Sequence, residues 1–297
     1  MKPDASTVPV AAGHTRSGDF SALAKPRLNM LVVVSAVAGY VMAGGNAHDV
    51  WRLLWMVIGT GLVAGGASAF NQVIERESDT LMARTRMRPM PDGRVTSRDA
   101  LAFASVLTLG GLIILAVGAN LLSAAVAFVT LASYAVVYTP LKKRSSFATV
   151  VGAIPGALPP VIGWAAAENG LSRGSWVLFG IVFLWQRPHF LAIAWIYRDD
   201  YARAGFLMLP VIEPDGRSTA RQAIIYAAAL VPVSLAPTLV GMTGTLYFTG
   251  AFVLGLAFVA LAVRFGMTRT VADARRLFFG SIIYLPLLWM LMIGNRV

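Results

Sequence analysis

A bundle of nine membrane-spanning α-helices is the fold this sequence predicts, and three observations predict it. The 297 residues are 57% hydrophobic and only 13% charged, about half the charge of a soluble domain, with a mean hydropathy of +0.68. Nine apolar runs approach or exceed the length needed to cross roughly 30 Å of hydrocarbon. The basic residues then sort by side. If the N-terminus is cytoplasmic, all but four of the 25 Lys and Arg fall in cytoplasmic segments; the exceptions are Arg52, Arg173, Arg187 and Arg296. That bias orients the chain with its N-terminus inside and its C-terminus outside.

In order, the runs lie near 28–44, 52–74, 100–118, 121–139, 148–167, 175–196, 221–241, 245–265 and 277–294. The first is short. The fifth carries Pro155, Pro159 and Pro160, so it is predicted to be kinked or broken. Gly61 and Gly65 in the second run, and Gly152 and Gly156 in the fifth, are read as points of close helix packing. Residues 1–27 are expected to be a mobile cytoplasmic tail before one transmembrane domain, 28–297. The stretch Met1–Phe20 is polar and carries Asp4 and Asp19. It resembles neither a signal peptide nor a transit peptide, which favours the inner membrane of a bacterium. Absence of cysteine excludes disulfides and thiolate metal sites. The net charge of +11 is explained by sidedness and calls for no nucleic acid.

An internal repeat relates two cytoplasmic loops. PDGRVTSRDALAFA (91–104) matches PDGRSTARQAIIYA (214–227) at eight of fourteen positions, and upstream Asp79 aligns with Asp200. The chain therefore reads as two parallel four-helix repeats plus one helix.

Charge and polarity gather in those loops. Asn71, Glu75 and Asp79 stand four apart and share one helix face, with Arg84 and Arg88 just downstream. The pair Asp199–Asp200 occupies the equivalent place in the second half. A lone Glu or Asp here would most often be a solvated helix end; the repeated arrangement points instead to a metal-bridged phosphate site. Hard oxygen ligands without Cys or His suit Mg²⁺, which bridges carboxylates to substrate phosphates. The expected metal set is Glu75, Asp79, Asp199 and Asp200, with Asn71 as a neutral partner. Arg84, Arg88, Lys142 and Arg198 are candidates for the phosphate oxygens, against the plain alternative that basic residues only set orientation. His189 is the sole histidine within a predicted span; His14 and His48 lie in the tail and an outer loop. A buried ionisable group in a membrane is a functional hypothesis by default, and a hydrogen-bonded structural histidine is its rival. Trp185 and Trp195 read first as interface-belt aromatics, with lining an apolar cavity as the alternative.

These segments resemble the UbiA family of intramembrane prenyltransferases over nearly the whole chain, from about Lys25 on. Asn71-x3-Glu75-x3-Asp79 and the following Arg84-Thr85-Arg86-Met87-Arg88-Pro89 are similar to the family's Asn-x3-Asp-x3-Asp and R-T-x-x-R-P elements. YTPLKKR (138–144), VGAIPGALPPVIGWAA (151–166), WQRPHF (185–190) and DDYARAGFLMLPV (199–211) resemble its haem-prenylating branch. Glu75 departs from the usual Asp, and Arg187 puts a charge where none is expected. It is left between approaching a haem propionate and snorkelling to the interface.

The resemblance implies a bundle with a central cavity open toward lipid. It implies an enzyme joining farnesyl diphosphate to haem b, a substrate and not a resident cofactor, with Mg²⁺. On that reading Asn71, Glu75, Asp79, Asp199 and Asp200 hold metal and diphosphate, and Tyr138, His189 and Tyr197 serve the acceptor. Haem A synthase or a terminal oxidase under assembly is a conceivable partner. The rivals are a UbiA-type enzyme acting on an aromatic or quinone precursor and, from another class, a transporter. Against the transporter, the carboxylates gather at one membrane face rather than at mid-membrane.

Overall fold

The structure, a computed structural model, describes residues 15–45 and 49–297. His14, His48 and the first fourteen residues of the expected tail lie outside the described residues. The regular elements among the described residues are helical: α1 (Arg16–Ala24), α2 (Pro26–Met42), α3 (Val50–Leu81), α4 (Ser97–Gly118) and α5 (Leu121–Ala132), which continues through a π-helical turn (Ser133–Tyr138) into α6 (Thr139–Leu141). Next come α7 (Ala148–Val151), α8 (Ala153–Ala157), α9 (Pro159–Glu168), α10 (Arg173–Ile196), α11 (Arg198–Arg203), α12 (Leu209–Ile212), α13 (Arg217–Leu239), α14 (Thr245–Thr268) and α15 (Val271–Gly294).

Eight spans are long and apolar enough alone, and α2, joined to α1 at a 42° bend, makes the ninth. The fifth is broken, as its prolines require: α7, α8 and α9 replace one continuous helix. The segment expected to be a loose tail is, from Thr15 onward, a capped helix. Thr15 Oγ1 accepts from the Gly18 amide at 3.2 Å, Leu23 is fully buried, and Gln72 Nε2 donates to the Leu23 carbonyl at 2.8 Å. An Asp19–Arg94 ion pair adds a second tie.

The first helices of the two repeats, α2 and α9, cross at the centre almost backbone to backbone. A Cβ on Gly39 would lie 1.9 Å from the Pro160 carbonyl oxygen, and one on Gly163 would lie 1.8 Å from that of Ala36. No side chain fits either place. Around this crossing the apolar core divides in two. One part is built mainly by α10, α13, α14 and α15, the other by α2, α3, α4, α5 and α9. The glycines that let α3 approach α4 are Gly59 and Gly66, facing Gly111 and Ala104. Gly61 and Gly65, expected in that role, have only ordinary contacts.

Helix α3 matters most for the site. Its 32 residues extend about 48 Å, well beyond a ~30 Å hydrocarbon layer. Its last three turns, carrying Asn71, Glu75 and Asp79, can therefore hold polar side chains at one membrane face.

Candidate active site

The predicted spacing on α3 produces one inward polar face. Asn71, Glu75 and Asp79 are 4%, 7% and 0% exposed. Asn71 Nδ2 donates to Glu75 Oε2 at 2.9 Å, and its Oδ1 accepts from Thr139 Oγ1 at 3.2 Å. Thr139 arrives by way of the π-helical turn, a widened helix of the kind often found at functional sites. The same turn delivers Lys142, whose Nζ donates to Glu75 Oε1 at 2.7 Å and lies 4.4 Å from the Tyr138 ring centroid. Burial alone would drive the proton from this ammonium; Tyr138 and Glu75 outweigh it, and the Lys142 pKa lies above its ordinary value.

Asp79 is served by the following loop. Arg88 Nη1 donates to Asp79 Oδ2 at 2.7 Å, and Thr85 Oγ1 donates to the Asp79 carbonyl at 2.8 Å. Asp79 Oδ1 is fully buried and has no hydrogen-bond partner among the described residues. A sealed carboxylate oxygen without a donor is costly and is the natural ligand for a hard cation.

The second loop contributes less than expected. Asp200 is 8% exposed, pairs with Arg203 and accepts from the Ala83 amide at 3.3 Å, which ties the two loops together. Asp199 is turned away: its side chain is 85% exposed and faces only Arg198, at 3.8 Å. Arg198 itself lies over the Trp195 ring. Tyr197, expected on the acceptor side, instead lies under the Arg84 guanidinium at 4.7 Å, with Tyr201 bonded to the same Arg. Among the described residues no three carboxylates or histidines converge closely enough to hold a metal unaided. The four-acid set is therefore not preformed. Each buried carboxylate is neutralised by its nearest cation, because packed anions would otherwise repel across a low-dielectric space.

Two cavities border residues that touch this cluster, Arg88 on one and Tyr138 on the other. One, of about 520 Å³, lies outside it and is lined by Lys25, Gln72, Arg84, Arg88, Arg94 and Asp19. Lys25, absent from the sequence-based candidates, occupies a left-handed backbone position (φ 47°) at the α1–α2 joint. Only the unusual Lys-Pro-Arg start of the first span could have marked it. The second cavity, about 370 Å³, runs into the membrane domain. Tyr134, Tyr138, Trp185, Gln186 and His189 are on its wall, among mostly apolar neighbours. Gly152 and Gly156 are close packing points, as expected: a Cβ there would lie 2.4 Å from the Tyr138 ring and 2.2 Å from Gln186 Oε1. Trp185 and Trp195 are both buried in the bundle and form no interface belt. Arg187 does not line the chamber. It faces α13, donating to Gln222 Oε1 at 2.9 Å beneath Tyr226, and at 2% exposure it does not snorkel.

A cation-rich mouth, a cluster of buried carboxylates and an apolar chamber together suit one chemistry. The mouth can hold a diphosphate, carboxylates and cations can stabilise its departure, and the chamber can shelter a hydrocarbon chain from water.

Comparison with known proteins agrees. Residues 32–285 match the UbiA prenyltransferase family. The chain is 52% identical over 287 residues to a protein of Solibacter usitatus named protoheme IX farnesyltransferase, covering 94% of this chain and 98% of that one. A mitochondrial protein of Arabidopsis thaliana with the same name is 36% identical over 286 residues, covering 96% of this chain and 66% of that one. Among solved structures, the fold is shared with one described as digeranylgeranylglyceryl phosphate synthase in membranes, at TM-score 0.78, 15% identity and coverage of 93% and 97%. It is shared also with an Archaeoglobus fulgidus UbiA homologue bound to GPP and Mg²⁺, at TM-score 0.63, 14% identity and coverage of 93% and 99%. This chain belongs to the UbiA prenyltransferase family.

Proposed function

We propose that the chain transfers the farnesyl group of farnesyl diphosphate to a vinyl group of protohaem IX, with addition of water, giving haem O and diphosphate. The observation that carries the reading is the buried Asn71–Glu75–Asp79 face, with Lys142 and Arg88 upon it, set against an apolar chamber walled by His189. The relatives named for this reaction supply the acceptor.

Asp79, Glu75 and Asp200 would hold Mg²⁺, with Asn71 supporting them. The orphaned Asp79 Oδ1 fits such an ion, and one or two carboxylates plus substrate phosphates is its usual ligand set. When bound, Mg²⁺ supplies charge neutralisation for the leaving diphosphate. Arg88 and Lys142 then exchange carboxylate for phosphate partners, with Arg84 and Lys25 lining the mouth. Asp199, Arg198 and Tyr197 are left outside this arrangement. Tyr138 and His189 remain on the acceptor side. We assign the N-terminus to the cytoplasm and the C-terminus to the far side of a bacterial inner membrane, with 28–297 as one catalytic domain extended by the docked α1.

The test is direct. Membranes containing the protein receive haem b, farnesyl diphosphate and Mg²⁺, and extracted pigments are weighed by mass spectrometry. A haem heavier by farnesyl plus water is the expected product. Its absence, with prenylated 4-hydroxybenzoate formed in a parallel reaction, would transfer the chain to the aromatic-acceptor branch.

A further inference from the structure

The proposed reaction contains a step that the acidic loops do not serve. Joining farnesyl C1 to the terminal vinyl carbon leaves a cation on the carbon next to the porphyrin. Water must add there through oxygen and lose a proton. We propose that His189 Nε2 accepts that proton and that Gln186 Oε1 holds the same water, an assignment that rests on the farnesyl-to-haem reading above.

The hydrogen-bond chain behind His189 determines which ring nitrogen is free. Ser281 is fully buried, and its Oγ lies 2.5 Å from the Phe278 carbonyl oxygen. A carbonyl only accepts, so the single hydroxyl hydrogen of Ser281 is spent there. His189 Nδ1 lies 2.7 Å from the same Oγ and must therefore be the donor. The neutral ring then carries its proton on Nδ1 and leaves Nε2 as a lone pair. Trp185, stacked on the imidazole at 5.2 Å, and Phe278 at 5.0 Å hold the ring plane. The Trp185 indole is itself fastened by a 2.8 Å bond to the Ser281 carbonyl.

Gln186 is oriented by the same logic. Its Nε2 donates to the Ala153 carbonyl at 2.6 Å, which leaves Oε1 on the side of Gly156, where both residues line the chamber. Gln186 and His189 are three residues apart on α10 and so share a face. A water giving one hydrogen to each acceptor turns its lone pair toward the chamber, the orientation needed to meet a cation. Among the described residues that line the chamber, none carries a carboxylate, an ammonium or a guanidinium. The remaining polar groups are Asn29, bonded to Ser68, and hydroxyls such as Ser35, Thr130, Tyr134 and Tyr138, which are poor bases at neutral pH. His189 is the one base on this wall.

The balance closes. A C–C bond forms as the diphosphate C–O bond breaks, the water oxygen bonds to the vinyl-derived carbon, and its proton passes to Nε2. From there it leaves with the diphosphate, which departs one charge richer than it was as an ester.

The test uses the full chain in membranes, given haem b, farnesyl diphosphate and Mg²⁺, and reads the partition between two products. His189→Asn keeps a donor for Ser281 and removes the base. It should lower the hydrated product about a hundredfold, with a farnesylated haem lighter by one water taking its place as the cation loses a proton from the new methylene. Gln186→Leu should move the partition the same way by a smaller factor, which keeps the idea testable if His189→Asn does not fold. An unchanged partition in both variants overturns the assignment, as does equal loss of both products from protein that unfolds at the wild-type temperature. A Soret band of bound ferric haem that changes in His189→Asn would place Nε2 on the iron and also overturn it. If the wild type makes no farnesylated haem, the farnesyl-to-haem reading itself fails.

Discussion

The two loops related by the internal repeat share sequence but present their acids differently. In the first, α3 continues to Leu81 and carries Glu75 and Asp79 inward, buried beside Lys142 and Arg88. In the second, α10 stops at Ile196 and the short α11 turns the chain, so Asp200 points in while Asp199 is left to solvent. Their glycines show the same divergence. Gly93 and Gly216 are repeat equivalents, and both adopt left-handed backbone, φ 76° and 71°. Gly93 has open space around it, whereas a Cβ on Gly216 would lie 2.4 Å from the Trp195 ring. Duplication supplied one frame, and the length of the preceding helix decided what each copy presents.

Substitutions can break that asymmetry. Asp79→Ala and Asp200→Ala should each lower haem O formation by about a thousandfold at unchanged protein level in the membrane. Asp199→Ala should stay within about threefold; equal loss in all three would make the loops equivalent. Lys142→Met leaves Glu75 as an unpaired buried carboxylate and should cost about 3–5 kcal/mol of stability, seen as a lower unfolding temperature in detergent. The double variant Lys142→Met with Glu75→Gln should recover much of it. Arg88, against fully buried Asp79, should matter more than Arg203, which is 54% exposed. Arg88→Ala is expected to cost about a hundredfold in turnover and Arg203→Ala no more than about fivefold. The smallest effects separate the glycines. Gly216→Ala combines left-handed strain of about 1–2 kcal/mol with overpacking of Trp195, while Gly93→Ala carries the strain alone. Equal unfolding temperatures for the two would refute the packing difference.

Much of this was legible along the chain. Asn71, Glu75 and Asp79 at helical spacing had to share a face once α3 was continuous, and Pro155, Pro159 and Pro160 had to break the fifth span. Both are local consequences of backbone geometry. Asp199, Arg198 and Tyr197 illustrate the opposite case. They are adjacent to Asp200, yet which of them turns inward depends on where α10 ends and what Trp195 packs against. Lys25 was missed because its place beside Arg84 and Arg88 depends on α1 docking onto α3.

By itself the sequence determined the number of spans and the polar face of α3, because hydropathy and a 3.6-residue period act within one segment. Tertiary structure alone decided which carboxylates are buried, which way Arg187 faces and what His189 Nδ1 is bonded to. Each of these is set by a partner in another segment: Arg88 and Lys142 for the acids, Gln222 for Arg187, Ser281 for His189, all but Arg88 at least 35 residues away. No local pattern encodes the distance between such pairs; only the packed bundle brings them within a hydrogen bond of one another.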